Sequence, residues 1–433
     1  MKMNIPETGQ KRVVVVGGGF GGLTLVNKLC KTDYQIVLID KNNYHQFQPL
    51  FYQVATAGLE PSSIVYPLRK MFQNSHQVFI RVTEVTEIHT AENRISTPIG
   101  DLDYDYLVLA TGVDTNYFGN MELASNVIPM KSVSEALYLR NQIFSDFELA
   151  ITSEGEEKQQ LLDIVVVGGG PTGVEVAGAL AEMRKHILPK DYPELDCNQI
   201  DIYLVQGGPQ LLDGMSDDAS KDSLRFLQEM GVIVRLGVFV KNFDGKTLTM
   251  SDGSTLEAHK VIWAAGIVGQ PLEGIPAEAY GHGKRLKVNP FNQVLGYTNV
   301  FAIGDNALLM DEDHPKGHPQ VAQVAMQMAK NLAKNLKKSL KNQPWEAFKY
   351  KDLGSLATIG RNKAVADLPF WKFSGFFAWL TWLFVHLMQL IGFKNKLFVF
   401  SNWVINYLTY DQSLRLVIKP RRVKEREEVG IGV

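Results

Sequence analysis

The chain carries one supersecondary unit twice, and no other feature narrows its fold so far. The first copy is KRVVVVGGGFGGLTLVNKLCKTDYQIVLIDKN. Val13 to Val16 are β-branched without alternation, which predicts a parallel strand buried on both faces. Gly17, Gly19 and Gly22 then fit GxGxxG, a helix opens at Phe20, and a second strand ends in Asp40 and Lys41. Each residue type has a physical task. Gly17 permits a tight turn, Gly19 lets backbone approach a pyrophosphate, and Gly22 lets helix and strand pack closely. The helix start supplies free N–H groups and the positive end of a dipole. A carboxylate at the position of Asp40 can accept both hydroxyls of a ribose. The whole unit therefore predicts a dinucleotide site.

The second copy, LLDIVVVGGGPTGVEVAGALAEM, repeats the pattern with Gly168, Gly170 and Gly173, and Pro171 and Thr172 open its helix. Two such units in one chain predict two different nucleotides facing each other. The second copy departs in one place: its second strand ends in Gln206 where the first has Asp40. A carboxylate repels the 2′-phosphate of NADPH, and an amide does not. NADH is the expected donor, because no arginine pair follows Gln206, and NADPH is not excluded. Three strands ending in small-residue turns complete the pattern. They are YDYLVLATG (with Ala110, Thr111 and Gly112), VIWAAGIVG (with Ala265 and Gly266) and NVFAIGDNA (with Gly304 and Asp305).

In this order the motifs resemble the two-dinucleotide-binding flavoprotein superfamily over roughly residues 11 to 330. The resemblance implies an α/β fold of two Rossmann-like domains, glutathione-reductase-like, with FAD in the first unit and NAD(P)H in the second. It assigns the ribityl chain to Asp305. Dithiol members keep a cysteine pair by the flavin, but the stretch NNYHQFQPLFYQVATAGLEPSSI has none, and Cys30 and Cys197 stand far apart. Lipoamide- or glutathione-reductase chemistry is thereby excluded, sulfide:quinone chemistry lacks its cysteines, and no CxxC offers a metal site.

HPQVAQVAMQMAKNL is similar to the AQxxxQ quinone motif of type II NADH:quinone oxidoreductases, at Ala322, Gln323 and Gln327. Spaced by four, the two glutamines share one helix face, where neutral amides can donate to a quinone carbonyl. Gln323 is also expected beside the flavin. The same resemblance implies catalytic roles for Glu175, between nicotinamide and flavin, and for Lys363, by the quinone. It implies a non-electrogenic peripheral enzyme on the cytoplasmic face of a bacterial inner membrane, acting as a homodimer. A soluble ferredoxin reductase or a nucleotide-sensing flavoprotein would share the glycines but not the chain's last segment.

That segment includes FSGFFAWLTWLFVHLMQLIGF, Phe373 to Phe393, without a charged residue. Its length permits a transmembrane helix. Its scattered aromatics and the cluster of Ser374, Thr381, His386 and Gln389 on one side favour a helix lying in the bilayer surface over a spanning helix or a buried dimer interface. Basic residues from Arg361 to Lys424 outnumber the acids Asp367 and Asp411, which suits anionic lipid. A net charge of −2 suggests no nucleic-acid partner, and the polar N-terminus has no signal-peptide core. The expected organisation is an FAD domain in two parts (1–125 and 276–345), an NAD(P)H domain (126–275) and a C-terminal membrane-anchoring helical module (346–433).

Overall fold

Arg12–Val16 is buried along its whole length and lies at the centre of a five-stranded parallel sheet. Gln35–Asp40 and Val78–Val82 extend the sheet on one side, and Tyr106–Leu109 and Val300–Ala302 on the other. The last of these strands arrives from far along the sequence, so the GD strand does return to the first domain. The structure, a computed structural model, describes residues 1–412 and 414–418. The basic residues up to Lys424 and the end of the expected C-terminal module therefore lie partly outside the described residues.

A second five-stranded parallel sheet repeats the plan. Its order is Ile128–Pro129, Lys260–Trp263, Ile164–Val167, Ile202–Gln206 and Ile233–Leu236. Each parallel sheet is accompanied by a three-stranded antiparallel meander: Glu87–His89, Arg94–Ser96 and Leu102–Asp103 beside the first, and Val240–Phe243, Thr247–Met250 and Thr255–Glu257 beside the second. The antiparallel pair Asp114–Thr115 and Ile267–Val268 ties the two units together.

The C-terminal module is not purely helical. It opens with an antiparallel sheet of Ser355–Gly360, Lys363–Leu368 and Trp371–Ser374. The tight turn at Arg361–Asn362, with Asn362 at φ 62°, makes the first hairpin. Two helices follow, Phe376–Gln389 and Phe393–Thr409. The charge-free run from Phe373 to Phe393 is thus not one helix. Gly375 (φ 83°) separates its strand from its helix, and Gly392 (φ 86°) turns the chain into the next. Among the described residues no helix is long and apolar enough to cross a membrane.

The module shares a core with both other parts. Trp382 and Val399 pack in one apolar cluster with Phe47 to Ile64 of the first domain and with Val166, Val174 and Leu180 of the second. At Gly178 a Cβ would stand 1.6 Å from the Ile359 carbonyl oxygen, so helix Pro171–His186 lies flush on the module's first strand.

Candidate active site

At the first glycine turn Gly17 has φ 108°, and a Cβ there would stand 2.2 Å from the Ala110 carbonyl oxygen. A Cβ on Gly22 would stand 1.9 Å from the Gly17 oxygen, whereas Gly19 faces open space. The turn is therefore closed on the protein side and open on the side a pyrophosphate would occupy. Phe20 opens helix Phe20–Leu29 and sets its ring edge-on to His45 and Phe47. The Asp40 carboxylate accepts the Gly18 N–H at 2.5 Å and the Asn42 N–H at 2.6 Å. Burial raises its pKa against those two donors, and Lys41 beside it is exposed.

Ala110 and Thr111 end the neighbouring strand, Gly112 has φ 70° with open space around it, and the Thr111 hydroxyl accepts from Asn306 at 3.0 Å. Gly304, at φ 76°, presses toward Ala325 and turns the chain so that Asp305 follows. Burial raises the Asp305 pKa, with Lys131 and Arg285 opposing it. Asn306 Oδ1 and His45 Nε2 are buried without a partner among the described residues. An open cradle, a ribose acceptor and unsatisfied buried polar atoms fit an FAD. His45 is a site residue that the motifs do not reveal, because its place under Gly18, at 3.0 Å from Nδ1 to the carbonyl oxygen, depends on the strand Tyr44–Gln46 folding back.

The second turn is nearly superposable in its constraints. Gly168 has φ 113° with a Cβ 2.4 Å from the Ala264 oxygen, Gly173 would meet the Gly168 oxygen at 1.8 Å, and Gly170 is open. Pro171 and Thr172 form the exposed first turn of the helix. Gln206 accepts the Gly169 N–H at 2.8 Å, as Asp40 does for Gly18, and donates to the Gln210 carbonyl at 3.3 Å. Ala265 and Gly266 follow the strand on the far side, and the Gly266 carbonyl accepts the Asn116 N–H at 3.1 Å. This cradle fits a nicotinamide nucleotide.

One face of helix Pro171–His186 carries Glu175, Ala179, Glu182 and His186, and all four line a cavity of about 540 Å³. Tyr52 to Gly58 of the first domain form another wall, and Trp382, Leu383, Trp403 and Tyr407 of the terminal helices form the rest. Two side chains of the last helix fix that wall: Trp403 donates to Gln53 at 2.8 Å, and Asn406 to the Gly58 carbonyl at 3.2 Å. Burial raises the Glu175 pKa to about 8, partly offset by the Thr358 backbone N–H and the Trp382 indole that face it. Burial likewise raises Glu182, against the Arg361 backbone and charge. His386 stacks on Trp382 with centroids 4.0 Å apart, and burial lowers its pKa to about 4, which makes it a packed neutral ring. Glu182 follows Glu175 by two helical turns, so its place beside the site was visible in spacing alone. Tyr52 and Trp382 were not, because tertiary packing brings them there.

The glutamines and the lysine stand differently from expectation. Helix Ala322–Ser339 packs against Phe20–Leu29, so Gln323 begins near the first glycine helix. Its amide, however, accepts from Leu353 N–H (3.0 Å) and donates to the Gly354 oxygen (3.1 Å). Gln327 accepts from Lys351 N–H (3.0 Å) and donates to the Lys351 oxygen (2.8 Å). An extended strap has two backbone donors and two acceptors to satisfy, and the amide pair satisfies them. In this arrangement neither glutamine lines the cavity or is free to donate into it. Lys363 pairs with the Glu229 carboxylate and lies 4.7 Å over the Phe226 ring, also outside the cavity lining. The charge at that hairpin that reaches the cavity is Arg361, stacked between Tyr407 and Tyr410 at 3.9 and 3.7 Å.

Residues 11–329 match the pyridine nucleotide-disulphide oxidoreductase family, and residues 353–410 match the NDH2 C-terminal domain. The type II NADH:quinone oxidoreductase Ndh of Mycobacterium tuberculosis is 37% identical over 414 residues, covering 92% of this chain and 88% of that protein. The Haemophilus influenzae type II NADH:quinone oxidoreductase is 31% identical over 83% of this chain and 87% of its own length. In fold, the NDH2 of Plasmodium falciparum solved with NADH superposes at TM-score 0.85, with 22% identity, over 95% of this chain and all of that one. The sulfide:quinone oxidoreductase of Aquifex aeolicus reaches 0.70 at 20% identity, over 93% of this chain and 96% of its own. The two glycine cradles, the identity along nearly the whole length and the matched terminal domain have one reading: the chain belongs to the type II NADH:quinone oxidoreductases.

Proposed function

We propose that this protein oxidises NADH and reduces a quinone dissolved in a lipid bilayer, with FAD in the first glycine cradle and NADH in the second. The observation that carries the quinone half is the cavity that joins the buried Glu175 to the aromatic terminal helices. When bound, FAD supplies acceptance of a hydride and delivery of two electrons. The rest is done by side chains. The helix that starts at Phe20 would face the pyrophosphate of FAD with its N–H groups, Asp40 would hold a ribose and Asp305 the ribityl chain. Pro171 to Gly173 and Gln206 would hold the second nucleotide, and the neutral Gln206 leaves NADPH admissible. Glu175, raised to about 8, keeps its proton at neutral pH and stands ready to give it to a reduced quinone oxygen.

The surface supports membrane attachment. Phe377, Phe384, Phe393 and Leu408 are each at least 65% exposed on the two terminal helices, an apolar patch of the kind that marks a membrane or protein contact. Helices of 14 and 17 residues reach about 21 and 26 Å, against roughly 30 Å of hydrocarbon. Such helices lie in the bilayer surface and open the cavity toward it. The test has two arms. Anaerobic NADH should bleach the flavin and a short-chain quinone should restore it within a few turnovers, and the protein should float with anionic liposomes. Slow reoxidation by quinone would overturn the activity, and failure to float would overturn the attachment.

A further inference from the structure

The loop between Asp305 and helix Ala322–Ser339 brings together a set of donors that the redox reaction does not use. Asp311, His314 and His318 each offer one ligand atom, and all three atoms lie within 4.8 Å of one another. The Asp311 carboxylate spans the two rings: Oδ1 stands 3.0 Å from His314 Nδ1, and Oδ2 stands 3.0 Å from His318 Nε2. Ligands around a tetrahedral zinc at its usual bond lengths are about 3.3 Å apart, so small rotations would bring these atoms onto one ion.

The loop is built rather than loose. His314 N–H donates to Asp311 Oδ1 at 2.7 Å, and Gly317, at φ 91°, turns the chain so that its N–H reaches the His314 oxygen at 2.9 Å. The His318 N–H reaches the Leu309 oxygen at 3.1 Å, and the Arg285 guanidinium holds the His318 oxygen at 3.1 Å. Tyr350 sets its edge against both imidazoles at 5.7 and 5.6 Å, and Phe348 closes on His318 at 5.5 Å. His318 is 1% exposed, and neither of its ring nitrogens makes a hydrogen bond among the described residues, including the Nε2 that faces the Asp311 carboxylate. A buried imidazole without a hydrogen bond is unusual unless something else engages it.

We propose that Asp311, His314 and His318 form a site for one divalent transition-metal ion of the zinc class. Two imidazoles and one carboxylate suit zinc, nickel or copper, and do not suit magnesium or calcium, which take oxygen ligands. The exposed side of Asp311 leaves a fourth position to water. The ion would clamp residues 309–319 onto the Phe348–Tyr350 wall, and so brace the segment that links Asp305 to the helix start.

Untagged, flavin-loaded protein is dialysed against chelator and then titrated with zinc, with bound metal measured after desalting. Asp311→Asn and His314→Gln, both on the accessible side of the loop, are compared with wild type alongside magnesium as a control ion. The expected result is one more equivalent of tightly held zinc in wild type than in either variant. Affinity should fall roughly tenfold or more in each variant, and a zinc-dependent rise in Tm should be seen in wild type alone. Equal zinc uptake by wild type and both variants, or no uptake by wild type, overturns the site. Full flavin content in the variants shows that they are folded, so a loss of zinc cannot be blamed on loss of the fold.

Discussion

The two glycine units differ least where they would touch phosphate and most where they face each other. Their turns are constrained alike: φ 108° and 113° at Gly17 and Gly168, the same near-contact with the next strand's end, and the same open space at Gly19 and Gly170. The difference begins at the strand end, where Asp40 and Gln206 make the same bond to a turn N–H with and without a charge. It widens along the helices. The first helix carries Thr24 where the second carries Glu175, and only the second turns carboxylates toward the cavity. A pyrophosphate fixes one geometry, whereas the sugar and the reacting ring leave each unit free to specialise.

The sharpest way to break this comparison is to spoil each turn in isolation. Gly22→Ala and Gly173→Ala each force a Cβ onto a carbonyl oxygen, at a cost of about 3 kcal/mol or more. Gly22→Ala should purify with little flavin. Gly173→Ala should keep its flavin absorbance but bleach with NADH at least roughly a hundredfold more slowly. Comparable flavin loss in both would show that the two units are not assigned as proposed.

The next effect is a matter of pH. Glu175 rises from 4.5 when unfolded to about 8 when folded. Its folded value is the higher one, so stability is full below the unfolded value and is lost as pH climbs through the folded one. Glu175→Gln, which carries no such charge, should gain on wild type between pH 4.5 and 8, by on the order of 5 kcal/mol, read as a Tm difference that widens with pH. A constant difference would mean that the carboxylate is not held protonated.

Smaller again is the strand-end contrast. Gln206→Glu recreates in the second unit the charge that the first has, and should raise preference for NADH over NADPH by roughly tenfold. The ratio of kcat/KM values checks it. Smallest of all is Lys363→Met, which removes a half-exposed ion pair with Glu229. It should barely move Tm, since an exposed pair is screened by solvent, and leave the KM for quinone unchanged. A large rise in KM would return Lys363 to the quinone site.

What the sequence made legible follows the same division. The glycines, Asp40 and Gln206 stand at fixed offsets within one local unit, so their spacing is legible, whereas Asp305 is legible only through the resemblance to the flavoprotein superfamily. Gln323 and Gln327 were placed on the right helix face, but residues 351–354 occupy that face, and no short-range pattern shows a strap closing from further along the chain. The break at Gly375 was written in the sequence as a glycine inside an apolar run, and the length of the run outweighed it. The hairpin that carries Arg361 and Lys363 sends one charge to the cavity and the other away, because Arg361 sits in the tight turn while Lys363 already opens the returning strand. Tyr52, Trp382 and Trp403 meet only after three separate parts of the chain have packed.

The central claim is that quinone is reduced in the cavity between Glu175 and the terminal helices. Ala179→Phe fills that cavity from the middle of its glutamate-lined face, and stopped-flow absorbance reads the two half-reactions of the variant separately. The account predicts an unchanged rate of flavin bleaching by NADH and a reoxidation by quinone slowed at least roughly a hundredfold. Wild-type rates in both half-reactions would place the quinone elsewhere and contradict it.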